Sequence, residues 1–89
     1  MATMFVRHNV ADFATWKRGY DQLDPTRKQM GVTAASIYQA AGSPNDITIT
    51  HEFATVEAAQ AFAGSSELKT AMQNAGVAGA PTIWFTTKA

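Results

Sequence analysis

Apolar side chains recur along the first third of the chain in two rhythms. Met4 to Asn9 (MFVRHN) is short, rich in branched and aromatic residues, and followed by Asp12, a good helix N-cap, which predicts a first strand. Beyond Asp12 the period lengthens. Phe13, Trp16, Tyr20 and Leu23 recur at spacings of three, four and three, one stripe of a helix, while Lys17, Arg18, Asp21 and Gln22 fall largely off it. Asp24-Pro25 interrupts that helix, because proline has no backbone N–H to donate and turns the preceding residue away from helical geometry. Proline suits the first turn of a new helix, so Pro25 to Met30 reads as a second, short helical piece, ended by Gly31.

Val32 to Ala40 and Ile47 to Phe53 are strand-like runs separated by Ala41-Gly42-Ser43-Pro44-Asn45-Asp46, a dense set of turn residues, and an antiparallel hairpin with a longer loop is expected. Thr55 offers an N-cap for a helix through Ala63 whose buried stripe is Val56, Ala59, Phe62 and Ala63. Gly64-Ser65-Ser66 breaks it before another from about Glu67 to Ala75, with Leu68, Ala71, Met72 and Ala75 inward. Gly76 to Pro81 reads as an uncharged loop and Thr82 to Thr87 as a last strand. The order strand, helix, strand, strand, helix, strand gives an α+β, ferredoxin-like domain over residues 1–89, a four-stranded antiparallel sheet with helices on one face.

Composition makes this domain thin in the middle. Of 41 apolar residues in the 89, 17 are alanine, leaving 24 larger side chains, only two of them leucine, for a core. A chain this short buries only roughly 60 to 65% of its unfolded surface, and one sheet face is left uncovered, so a homodimer is expected. There is no cysteine, which removes disulfides, thiolate nucleophiles and cysteine metal sites. Seven basic and seven acidic side chains cancel, and no basic cluster exceeds Lys17-Arg18 or Arg27-Lys28, so neither nucleic acid nor an anionic membrane is an expected partner. No apolar run approaches the roughly 20 residues that span a bilayer, and Met1 to Val10 lacks a signal-peptide pattern. A cytoplasmic protein is expected.

The first strand MFVRHNV running into DFATWKRGYDQ, the strand ITITHEF followed at once by TVEAAQAFAGSSELKTAM, and the terminal APTIWF together resemble small proteins of the antibiotic biosynthesis monooxygenase type. The resemblance covers about Met4 to Phe85 and is carried by mostly structural motifs. It implies a dimeric α+β barrel with two sheets packed face to face around a pocket. It also implies a spread of activities: cofactor-independent oxygenation of aromatic, polyketide-like substrates, haem degradation, or isomerisation of small metabolites. Haem-degrading members resemble one another in an asparagine, a tryptophan and an axial histidine on the helix after the third strand. Thr55 to Ala75 contains no histidine, and Asn9 alone does not complete that set. No cofactor is therefore expected.

The two histidines, His8 and His51, fall in predicted strands that neighbour each other in this fold. One pairing register would set His8 opposite His51 and, on the other sheet face, Arg7 opposite Glu52. Ile47, Ile49, His51 and Phe53 form the more apolar side of their strand and belong beneath the helices by that logic, leaving Arg7, Asn9, Thr48, Thr50 and Glu52 toward a barrel interior. An apolar substrate pocket would instead place the histidines inside it. Both readings stay open. On the functional one, His51 or His8 is the base and Arg7 the partner of a substrate oxygen, and His51 is favoured because it lies at a strand end. On the plainer one, the histidines are structural and Arg7 with Glu52 is an ion pair.

Trp16 and Tyr20 are expected to pack. Asn9, Tyr38, Glu52, Trp84 and Phe85 are candidates for substrate contact. No metal site is expected, since strand alternation puts Glu52 on the face opposite His51, and neither a nucleophile elbow nor a phosphate loop occurs. The expected function is a small-molecule pocket protein, with a cofactor-independent monooxygenase acting on an aromatic or polyketide-like substrate as the leading reading. An isomerase or cyclase on the same scaffold, or a non-catalytic ligand-binding or stress-associated dimer, are the alternatives.

Overall fold

The computed structural model describes residues 1–66, 68–70 and 77–89. Among them, β1 (Ala2–Val10), β2 (Ala34–Ala40), β3 (Ser43–Phe53) and β4 (Val77–Thr87) form one antiparallel sheet in the order β2-β3-β1-β4. Helices α1 (Phe13–Gln22), α2 (Asp24–Gln29) and α3 (Val56–Ala63) complete the described elements. This is the expected ferredoxin-like order. No helix among the described residues is long and apolar enough to cross a membrane.

Local chemistry fixes the helix starts where the sequence places them. Asp12 accepts hydrogen bonds from the Thr15 backbone N–H (2.9 Å) and from the Thr15 hydroxyl (2.8 Å), and Thr55 accepts from the Ala58 N–H (3.1 Å). Pro25 opens α2, and Gly31 leaves it at a φ of 98°, a left-handed conformation that a Cβ would strain. The predicted helix from Glu67 to Ala75 lies mostly outside the described residues. Leu68, which is described, packs against the core as its stripe requires.

Two boundaries differ from expectation. The hairpin has no long loop: Ala41-Gly42 makes the turn, with Gly42 at a φ of 79°, and β3 begins at Ser43. The turn-forming residues after Gly42 are held in the strand by partners elsewhere. Asn45 accepts from the Phe13 N–H (3.0 Å), and Asp46 pairs with Arg7. The last strand starts at Val77 rather than Thr82, and its register slips against β1 between Arg7↔Thr82 and Asn9↔Ala78. Three residues of β4, ending in Pro81, thus lie opposite His8 alone. A proline with no N–H is tolerated there because β4 is an edge strand with a bulge.

The helix-facing side holds the core in two groups. Met4, Val6, Phe53, Ala59 and Phe62 cluster together, with Phe85 packed beside them, while Val10, Trp16, Ile47 and Ile49 cluster with Phe13 and Tyr20. The opposite face carries Phe5, Arg7, Asn9, Tyr38, Thr48, Thr50, Glu52 and Trp84, as strand alternation requires. Phe5 stacks on Trp84 there with ring centroids 5.2 Å apart, and Tyr38 and Trp84 are exposed.

Candidate functional site

Both histidines lie on the helix side of the sheet, with side chains buried at 5% exposure for His8 and 2% for His51. They do not face each other. The strands pair four residues away from the register that would join them, so that His51 lies opposite Met4 and His8 opposite Ile47. An even shift preserves the face and changes only the distance, which becomes roughly 13 Å along the strand. In this register Asp46 lies opposite Asn9 and pairs with Arg7 beside it, while Asn45 accepts from the Phe13 N–H.

His51 is the more elaborated of the two. Its Nε2 lies 3.1 Å from the Tyr20 hydroxyl, its ring stacks near that of Tyr20, and Phe62 closes on it edge-on with centroids 5.4 Å apart. The guanidinium of Arg27 sits 3.7 Å above the Tyr20 ring and donates to the Tyr20 carbonyl. Asp24, 3.6 Å away, is its counter-ion. Trp16 packs on Tyr20 at 4.9 Å between centroids and meets His8 edge-on at 5.9 Å. Helix α1 therefore supplies Trp16 and Tyr20, α2 Arg27, α3 Phe62, and the sheet the two imidazoles.

Burial governs the charges. It pushes His51 down to about 4, helped by the nearby Arg27 cation, and pushes His8 down as well. Burial also raises Tyr20, a tendency that Arg27 opposes. At neutral pH the pair is thus a neutral phenol and a neutral imidazole. When the Tyr20 O–H donates to Nε2, the ring proton of His51 sits on Nδ1, a buried donor without a partner among the described residues. Both nitrogens of His8 likewise have none. Buried polar atoms are normally satisfied, so these nitrogens set the helix side apart from an ordinary apolar core.

The remaining candidates divide between the faces. Arg7 points away from the helices and makes a two-pronged pair with Asp46, at 2.8 and 3.2 Å, instead of meeting Glu52. Glu52 lies opposite Thr3, at the far end of the strand. Arg7 therefore lies on the sheet face away from His8 and His51, and its expected pairing with Glu52 is corrected to one with Asp46. Asn9, Tyr38, Glu52 and Trp84 lie on the face of Arg7, while Phe85 lies on the face of the histidines, opposite Met4. Among the described residues no three His, Asp or Glu side chains gather as a ligand set.

No family model and no curated protein matches the sequence. Solved structures do match its fold. A protein assigned to the antibiotic biosynthesis monooxygenases from Bordetella bronchiseptica superposes with a TM-score of 0.84 at 16% identity, over 99% of this chain and 96% of its own. SnoaB from Streptomyces nogalater, a cofactor-independent oxygenase, superposes at 0.79 with 9% identity, over 99% and 92%. The chain has the fold of the antibiotic biosynthesis monooxygenases. At such identities the likeness carries fold and not chemistry, and the same fold is seen in NE2512 of Nitrosomonas europaea, a protein of unknown function, at a TM-score of 0.74 and 20% identity over 96% and 85%.

Within that monooxygenase fold, two contributors to the site escape the sequence reading. Tyr20 looks like core and is core, yet its hydroxyl also engages His51. Arg27 looks like half of a surface basic pair, yet is buried at 7% exposure. The signal was the spacing: α1 and α2 are separated by Leu23 alone, so seven residues bring Arg27 two turns on from Tyr20, over its ring.

Proposed function

We propose that the protein is a cofactor-independent oxygenase of a small ionisable aromatic molecule, working as a homodimer, with its site on the helix side of the sheet around His51. The observation that carries this reading is the buried, neutral His51, with Nε2 engaged by Tyr20, Nδ1 without a partner among the described residues, and the buried Arg27 over the ring of that same Tyr20. In the tautomer whose Nε2–H donates to the Tyr20 oxygen, Nδ1 carries the free lone pair, and a substrate hydroxyl held there would pass its proton to it. The ion pair so formed offsets the cost of charging a buried ring, and Arg27 replaces Arg7 as the cation that favours the phenolate. The electron-rich anion then reduces oxygen itself, so the protein need supply only a base, a cation and a dry enclosure made by Trp16 and Phe62.

The exposed face with Phe5, Tyr38 and Trp84 is assigned to contact with a second copy, as two sheets stacked face to face would require. The test is oxygen consumption by the purified protein with a hydroxylated naphthalene. Uptake matched by an oxygenated product supports the proposal. Turnover without uptake would replace it with the isomerase or cyclase reading, and saturable binding without turnover with the ligand-binding dimer.

A further inference from the structure

We infer that Tyr20 and His51 form a redox-active pair, in which the phenol gives up an electron and a proton together and so takes oxidising equivalents out of the protein's interior. This goes beyond the proposed oxygenase reaction and does not depend on it, since any one-electron oxidant reaching the pair would draw the same response.

Three features of the geometry point to it. First, the phenol oxygen lies 3.1 Å from Nε2 of an imidazole that is neutral at physiological pH, and in the tautomer with its proton on Nδ1 that nitrogen is free to accept the phenol proton. Second, Arg27 lies over the Tyr20 ring at 3.7 Å. A fixed cation against the ring face disfavours a second positive charge on that ring, so oxidation of Tyr20 without loss of its proton is opposed, and the path through His51 is the one left open. Third, Trp16, whose indole is the other readily oxidised side chain of this core, lies 4.9 Å from Tyr20 between centroids, in direct contact for electron exchange.

The step balances as follows in electrons and atoms. A one-electron oxidant, such as an organic peroxyl radical, takes one electron from Tyr20 and becomes the hydroperoxide anion. The phenolic O–H bond breaks and its proton moves to Nε2 of His51, leaving a neutral tyrosyl radical and an imidazolium. Although burial holds the imidazolium to a pKa of about 4, the radical cation of a phenol is a far stronger acid, so the transfer runs toward histidine. One electron from a thiol or ascorbate-class reductant, with return of the proton from His51, restores the pair.

Tyr38 is the second of two tyrosines and is exposed, so the test uses a Tyr38→Phe background in which Tyr20 is the sole phenol. A photogenerated ruthenium(III) polypyridyl is the oxidant, and the tyrosyl radical is followed by transient absorption and paramagnetic resonance. The expected result is a tyrosyl signal whose formation slows in deuterated solvent and slows by roughly 10²-fold when His51→Phe removes the acceptor. Tyr20→Phe should leave only a tryptophanyl signal. Equal rates with and without His51, or no tyrosyl signal in the background protein, would overturn the inference. If His51→Phe does not fold, the solvent isotope effect in the background protein decides alone, and its absence counts against the pair.

Discussion

The two faces of the sheet are built from the same strands and differ in nearly everything else. On the helix side, His8 and His51 are enclosed by Trp16, Tyr20, Phe62 and Arg27, and three of their four ring nitrogens have no partner among the described residues. On the open side, Arg7 has a carboxylate of its own in Asp46 and both stand toward solvent. A charged pair that is satisfied and wet has little left to offer a ligand, whereas a polar ring that is dry and unsatisfied has much. Adjacent residues Arg7 and His8 thus belong to different chemistries, because a strand sends successive side chains to opposite faces.

The contrast can be broken most forcefully at Trp16, which bridges His8 and Tyr20. Trp16→Ala should cost on the order of 3 kcal/mol or more, read from chemical denaturation, because it removes a large buried ring that the surroundings cannot refill. A loss below about 1 kcal/mol would show that the helix side is not packed as described. Acid should come next. Above pH 6.5 the folded and unfolded chains both hold His51 neutral, while between 6.5 and about 4 only the unfolded chain takes up the proton. Stability should therefore fall as pH drops through that window, by about 3 kcal/mol from His51, with His8 acting in the same direction. The open side behaves differently, since Arg7 holds the Asp46 carboxyl below its ordinary value of 3.8 and that pair fails only in stronger acid. Stability that stays flat down to pH 4 would mean the imidazoles are hydrated after all.

Smaller effects sharpen the same division. Tyr20→Phe, which deletes only the hydroxyl at His51, should cost about 1 to 2 kcal/mol. Arg7→Ala, which removes a largely solvated pair, should cost no more than about 1 kcal/mol. Trp84→Glu should also leave the protomer folded while halving the mass seen by sedimentation, from twice the 9.5 kDa of the chain to a single copy, if the open face is the dimer contact.

Much of this was legible in the residues themselves. The helix stripe of Phe13, Trp16 and Tyr20, the caps at Asp12 and Thr55, and the apolar side of β3 all followed from periodicity and short-range chemistry, which act within a few residues. Register was not legible, because it depends on contacts between residues far apart in the chain. Asn45 and Asp46 have the composition of a loop and become strand only through Phe13 and Arg7, more than thirty residues distant. The parity of the strands survived that error, which is why both histidines are on the apolar face while their pairing with each other and that of Arg7 with Glu52 are lost. Arg27 was hidden for a similar reason: its burial comes from the continuation of α1 into α2 across Leu23, which a proline would ordinarily be expected to redirect.

The central claim is that the chemistry belongs to the helix side, and oxygen uptake by His51→Gln and Arg7→Gln, measured side by side on the same hydroxylated naphthalene at neutral pH, tests it most directly. With both variants shown to be folded, His51→Gln should lower turnover by roughly 10²-fold to 10⁴-fold, and Arg7→Gln should leave it close to that of the unaltered protein. Full activity in His51→Gln together with collapse in Arg7→Gln would move the site to the open face and contradict the account.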